Sequence, residues 1–135
     1  MANEREKLPS RRGAEIFDLL AGTEAGKEIS YTAQLGFYDD GRVAELFLRS
    51  GKAGTDVNVL AMELAVAVSF ALQYGCPMET MRSAVPRRSD GAPEGPLGAL
   101  LDRFVMEREK ERQAYMQLKE ARRAALAALE APSGV

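Results

Sequence analysis

The sequence predicts an α+β domain: a small antiparallel sheet packed on a buried central helix, followed by a long C-terminal helix. Three observations predict it. Residues 29–37 alternate apolar and polar side chains with the period of a half-buried strand, and the turn pair Asp40-Gly41 follows. Residues 51–77 are a glycine-bracketed turn leading into a segment that is apolar on nearly every side, which is the pattern of a helix enclosed by protein. From Pro96 to about Glu130 nothing breaks a helical reading.

The chain has 135 residues, enough for one domain with a real core. Its hydrophobic share of 46% and charged share of 28% are those of an ordinary globular chain. Eighteen basic residues nearly cancel twenty acidic ones, so no global field recruits nucleic acid or an anionic membrane. The longest apolar run is interrupted by Asn58, Glu63, Ser69 and Gln73 and falls short of a clean membrane span. The opening residues, MANEREKLPSRR, are charged and contain no apolar segment, so a cytoplasmic location is expected. There is no histidine, hence neither the commonest base near neutral pH nor the commonest metal ligand. One cysteine, Cys76, excludes an intrachain disulfide and a multi-cysteine metal site. No cofactor is expected.

The elements follow in order. Residues 1–12 read as a flexible N-terminus. Residues 14–20, AEIFDLL, suit a short strand or a helical turn, and the strand is favoured as the third of the sheet. Gly22 to Glu28 supplies turn chemistry. The hairpin spans 29–50. With a two-residue type I′ turn at Asp40-Gly41, Phe37 pairs with Ala44, Leu35 with Leu46 and Ala33 with Leu48, which gathers the apolar members on one face. The other face carries Thr32, Gln34, Glu45 and Arg49 and is expected to be wetter. Thr55 or Asp56 caps a helix over 55–74, which Gly75 ends and Pro77 cannot continue. Residues 78–85 form a short second helix, and 86–95 a loop rich in proline, glycine and charge. The last helix, 96–130, would extend about 50 Å at 1.5 Å per residue.

Several stretches together resemble one module. They are LPSRRGAEIFDL, then residues 36–87 from GFYDDGRVAELFLRSGKAGTD through SFALQYGCPMET to SAVPR, and finally GPLGALLDRF. They are similar to the TSCPD domain at the C-terminus of adenosylcobalamin-dependent (class II) ribonucleotide reductases. In that family a strand pair with a D-G turn leads through a Gly-Lys-x-Gly-[Ser/Thr]-[Asp/Glu] turn into a long apolar helix. A Ser-x-Ala-Leu-Gln-[His/Tyr]-Gly-x-Pro-x-Glu pattern follows, matched here by Ser69, Ala71, Leu72, Gln73, Tyr74, Gly75, Pro77 and Glu79. The family's Gly-Pro-[Ile/Leu]-Gly-Ala segment is matched from Gly95 onward to Asp102. The resemblance covers roughly residues 8–105. The domain so delimited is 13–105, with 106–135 a helical extension outside it. The reductase barrel, its radical and reducing cysteines and the Thr-Ser-Cys-Pro-Asp signature are missing, and Gly75-Cys76-Pro77 does not replace the signature. The resemblance therefore implies association with ribonucleoside-diphosphate reductase activity rather than possession of it.

Four residue sets are candidates for contact with other molecules. The turn Gly51, Lys52, Gly54, Thr55 exposes backbone N–H groups at a helix start and suits an anion, although Asp56 opposes a phosphate and a structural strand-to-helix turn asks for the same glycines. Asn58, Ser69 and Gln73 form a polar stripe on the apolar helix, which either meets a ligand or partner or hydrogen-bonds within the domain. Arg82, Arg87 and Arg88 form a basic loop without stacking aromatics. Tyr115, Leu118, Ala125 and Leu129 restore an apolar stripe beyond the charged stretch 107–112 and are the candidate assembly helix. Cys76 lacks the cationic surroundings of a reactive thiol. The expectation is a non-catalytic module acting through protein contacts, as a homodimer or on a ribonucleotide reductase. The alternative is a small-ligand or nucleotide-binding regulator built on the 51–56 turn and the Arg87-Arg88 loop.

Overall fold

The structure, a computed structural model, describes residues 4–22, 28–51 and 53–131. Three strands, β1 (Ala14–Ala21), β2 (Ile29–Phe37) and β3 (Val43–Ser50), are followed by three helices, α1 (Asp56–Gln73), α2 (Met78–Ala84) and α3 (Pro96–Glu130). The sheet is antiparallel in the order β1-β2-β3, so the α+β class and the third strand are as the sequence predicts. Most of the turn anticipated between Gly22 and Glu28 lies outside the described residues. The chain divides into two units, Met1–Leu101 and Asp102–Val135.

The β2–β3 register keeps the pairs that the apolar pattern demands, Leu35 with Leu46 and Ala33 with Leu48. The turn differs. Gly41 N donates to Tyr38 O at 2.9 Å and Tyr38 N to Arg42 O at 2.9 Å, and Gly41 is the turn residue with positive φ, at 88°. The chain therefore reverses over Asp39-Asp40 and Gly41 in a three-residue loop, not over a type I′ pair, which would force Asp40 to positive φ as well. That longer loop shifts the pairing by one residue, so Phe37 faces Val43 rather than Ala44. A bulge at Ala44 then restores Gly36 opposite Glu45 and every pair beyond it. Without it the core residues of β3 would point to the wrong face.

One face of the sheet is buried through Leu19, Ala21, Tyr31, Ala33, Leu35, Leu46 and Leu48. Leu100 and Leu101, in the first turns of α3, complete that core together with Ala61, Ala65 and Val68 of α1. At about 1.5–3 kcal/mol for each large side chain fully withdrawn from water, these leucines dominate the hydrophobic term.

The expected burial of α1 on all sides is not observed. Leu60, Val66 and Phe70 remain 64%, 56% and 45% exposed. The cause is where α1 lies. β3 is an edge strand, and Ala44, Leu46 and Ser50 direct backbone groups away from β2. Ser69 Oγ accepts from Leu46 N at 2.8 Å and donates to Leu46 O at 3.0 Å; Gln73 Nε2 donates to Ala44 O at 3.1 Å; Asn58 Oδ1 accepts from Ser50 N at 3.1 Å. The spacings match: Asn58 to Gln73 spans about 22 Å of helix, and Ala44 to Ser50 about 20 Å of strand. The helix is thus held along the free edge, and only the stripe facing that edge and the core is buried.

The ends of α1 follow the sequence. Thr55 Oγ1 accepts from Asn58 N at 3.3 Å as the N-cap. At the other end Gly75, at φ 91°, lets Gly75 N reach Leu72 O and Cys76 N reach Ala71 O, a Schellman closure. By length and a mean hydropathy of 1.4, α1 reaches the range of a membrane-crossing helix, yet its polar stripe is bonded to the sheet.

Replacing Ser69 by Ala removes both partners of Leu46 at once. The expected loss is about 1–3 kcal/mol of unfolding free energy, the cost of unpaired buried backbone groups, measured by chemical denaturation. Cys76→Ser, at the helix terminus, should change it by less than about 0.5 kcal/mol.

Candidate functional site

Each of the four predicted sets has its own local setting, three in the first unit and the assembly stripe in the second. The Gly51–Thr55 turn serves to start α1: Gly54 takes φ 79°, and Thr55 is committed to its capping bond. Lys52, the cation of that reading, lies outside the described residues. A shallow 280 Å³ recess lined by Ile29, Ser30, Ser50, Gly51, Thr55 and Val57 borders the turn. The stripe Asn58, Ser69 and Gln73 is spent on the β3 edge, so it faces inward.

The basic loop is likewise engaged. Arg87 donates to Gly91 O at 3.1 Å and to Arg82 O at 3.2 Å, closing the loop through the Arg87–Pro93 bridge. The Arg88 guanidinium lies so close to Gly22 that a Cβ there would collide with it. Arg82 pairs with Glu79 within α2. In the second unit Tyr115, Leu118, Ala125 and Leu129 are all exposed, and Arg108–Glu111 and Arg112–Glu109 pairs lace the preceding turns.

A larger recess lies elsewhere, between β3 and α1. It has a volume of 420 Å³, and its apolar wall includes Phe47, Met62, Val66 and Phe70. Arg49 borders it at one end. At the other, Arg5 stacks over Phe70 at 4.9 Å and donates from Nε to Gln73 Oε1 at 2.6 Å. Glu45, also on the wall, accepts from Arg12, and its side chain covers Gly36, where a Cβ would strike it. Sequence reasoning missed this recess because it enclosed α1 on all sides. The one legible signal was Phe47, an aromatic on the hairpin face that also carries Thr32, Gln34, Glu45 and Arg49.

An N-terminal strap closes the Arg5 end. Glu6 N donates to Gln73 O at 2.9 Å, and the Glu6 carboxylate receives both terminal nitrogens of Arg42, at 2.9 and 2.7 Å. Arg42 Nε also donates to Asp40 Oδ2 at 2.7 Å, and its guanidinium lies 4.7 Å from the Tyr38 ring centre. The side-chain hydrogen bond from Arg42 holds the Asp40 carboxyl below the usual carboxylate range. Burial pushes the Tyr38 hydroxyl up, with the Glu6 charge adding to it. A carboxylate so depressed is a poor proton donor near neutral pH. Among the described residues no group of three or more His, Cys, Asp or Glu side chains converges as a metal site would require. Apolar side chains, the cations Arg5 and Arg49 and the ion-paired Glu45 thus border the recess.

Parts of this chain match B12-dependent ribonucleotide reductases. It is 37% identical to the vitamin B12-dependent ribonucleotide reductase of Bradyrhizobium diazoefficiens over 76 residues, 56% of this chain and 6% of that one. Against the enzyme of the same name from Agrobacterium fabrum the identity is 34% over 79 residues, 58% of this chain and 6% of the relative. For that of Rhodopirellula baltica it is 33% over 78 residues, 57% and 7%. The matched segment is consistent with a class II reductase-like domain, and the chain spans only a small fraction of the length of these relatives. No protein-family model matches it, and no solved structure does.

The Asp40 shift carries a sign. A carboxyl whose folded value lies below its unfolded value of about 3.9 contributes stability above that pH, and the contribution fades as pH falls through the folded value. Between pH 4 and 2 the denaturation midpoint of the wild type should therefore fall more steeply than that of Asp40→Asn, as pH-resolved denaturant titrations would show.

Proposed function

We propose that this chain is a non-catalytic module of ribonucleotide reduction, related to the C-terminal TSCPD domain of class II reductases and acting through protein contacts. The observation that carries the reading is the 33–37% identity over more than half of the chain to B12-dependent reductases. The relatives are many times longer than the shared segment, so it is one small part of an enzyme whose chemistry lies elsewhere. Two structural facts support a contact role. Large apolar side chains stay exposed on α1 and on the helix of the second unit, and surfaces of this kind mark interaction sites more often than catalytic ones. Of the loop arginines that a nucleotide-binding reading would need, Arg87 is already bonded to the carbonyls of Gly91 and Arg82.

In this reading the protein works as a homo-oligomer or beside a separate reductase in the cytoplasm, with the stripe Tyr115, Leu118, Ala125, Leu129 as one contact. Purified chain alone should turn over no ribonucleotide, and a tagged copy should co-purify with a B12-dependent reductase subunit from its own cell extract. Recovery of no reductase at all, together with a clear thermal shift by millimolar deoxynucleotides, would replace this reading with the ligand-binding one.

A further inference from the structure

The outer face of the sheet is the surface the fold leaves unexplained. An antiparallel sheet with one face in water normally presents polar side chains there. Here Ile16, Leu20 and Phe47 are 68%, 59% and 48% exposed on that face. The pairing arranges it in rows across the strands: Ile16–Gln34–Phe47 and Asp18–Thr32–Arg49. A shallow depression of 410 Å³, lined by Ile16, Thr32, Gln34, Phe47 and Arg49, lies over them. Each row has its distinctive residues at the two edges and an uncharged polar residue on β2. In one row the edges are both apolar; in the other, one is an acid and one a base.

We propose that this face docks a second copy of the chain, sheet against sheet, across a two-fold axis parallel to β2. The row pattern selects both the occupant and the axis. Turning a copy by 180° about β2 sets β1 of one protomer over β3 of its partner and keeps the rows in step. Ile16 then meets the partner's Phe47, and Asp18 meets the partner's Arg49. Each contact occurs twice by symmetry. Thr32, whose hydroxyl donates to Asp18 Oδ1 of its own chain at 3.0 Å, and Gln34 fall on the axis opposite their own copies, where the two Gln34 amides can pair. The other face-to-face two-fold, perpendicular to the strands, would lay β1 on β1 and bring acid towards acid, at a cost of like-charge repulsion. Aligned sheets pack about 10 Å apart, which suits side chains of this size. The same rotation sets the partner's β1 beside the recess between β3 and α1, so that the exposed Met62, Val66 and Phe70 gain an apolar neighbour. This assignment rests on the reading of the protein as a contact module and supplies the surface for its self-association. It is independent of the helix in the second unit.

The test uses the full chain and mass measurement by sedimentation or light scattering over a range of concentrations. Wild type should approach twice its 14.7 kDa chain mass. Asp18→Arg and Arg49→Asp place like charges in both symmetric contacts, and each should weaken the dimer on the order of 100-fold. Mixing the two variants one to one should restore it as a heterodimer. One contact then carries the wild-type pair and the other the same pair with its signs exchanged, whereas a merely structural defect would not be repaired by mixing. Phe47→Glu, at an exposed position, should keep the wild-type circular dichroism and run as a monomer. A wild type monomeric at all accessible concentrations overturns the proposal and assigns the face to a different protein, while reductase co-purification still tests the contact reading by itself. A dimer indifferent to Phe47→Glu, or single variants that stay monomeric when mixed, also overturns it.

Discussion

The pairing of α1 with the free edge of β3 governs most of what the molecule looks like. An edge strand leaves every second residue with unpaired N–H and C=O groups, which invite pairing with another chain. Here Asn58, Ser69 and Gln73 reach down from a helix and satisfy Ser50, Leu46 and Ala44. Three side chains take the place of a fourth strand, and they can because fifteen residues of helix and six of strand have nearly the same length. The edge is blunted without a charge or a proline. The arrangement has a cost: a helix committed to an edge cannot also be wrapped by protein.

That cost explains the surface. Val59, Leu60, Val66 and Phe70 stay open to solvent on one side of α1, and Ile16, Leu20 and Phe47 on the outer sheet face. The N-terminal strap shields only one end, where Arg12 covers Glu45 and Glu6 clamps Arg42. Elsewhere apolar surface is left over in a pattern with edges of opposite character. In the B12-dependent reductases that share this segment, the same stretch of sequence is embedded in a far longer chain. In this small α+β unit, one side of α1 is left uncovered.

The hairpin shows how local and global demands are reconciled. The three-residue loop over Asp39-Asp40-Gly41 suits the residues available, since only Gly41 has to take positive φ. It puts the strands out of step by one residue. The extra residue, Ala44, is absorbed at the bulge, and beyond it Leu46 and Leu48 meet Leu35 and Ala33 in the buried layer. The apolar pattern outranks the turn, because a slipped register would expose the core side chains of β3.

Much of the fold was legible in the chain itself. Strand period, capping threonine, the glycine that ends α1 and the uninterrupted last helix are local signals, read from neighbours within a few residues, and the elements appear where those signals place them. The register of β2 on β3 was legible for the same reason, since burying one face permits a single alignment. What composition could not reveal was which way α1 turns. A helix apolar all round is equally compatible with burial in a core and with service as an exposed interface, and only the hydrogen bonds to β3 distinguish the two. The polar stripe was visible as a stripe, but its partners, carbonyls and amides up to twenty-nine residues away, belong to no sequence window. The rows Ile16–Gln34–Phe47 and Asp18–Thr32–Arg49 exist only once three strands are aligned. Sequence determines the elements because local hydrogen bonding and hydrophobic period are short-range; the tertiary structure decides which greasy surface stays outside, because that depends on which backbone groups were left in need of a partner.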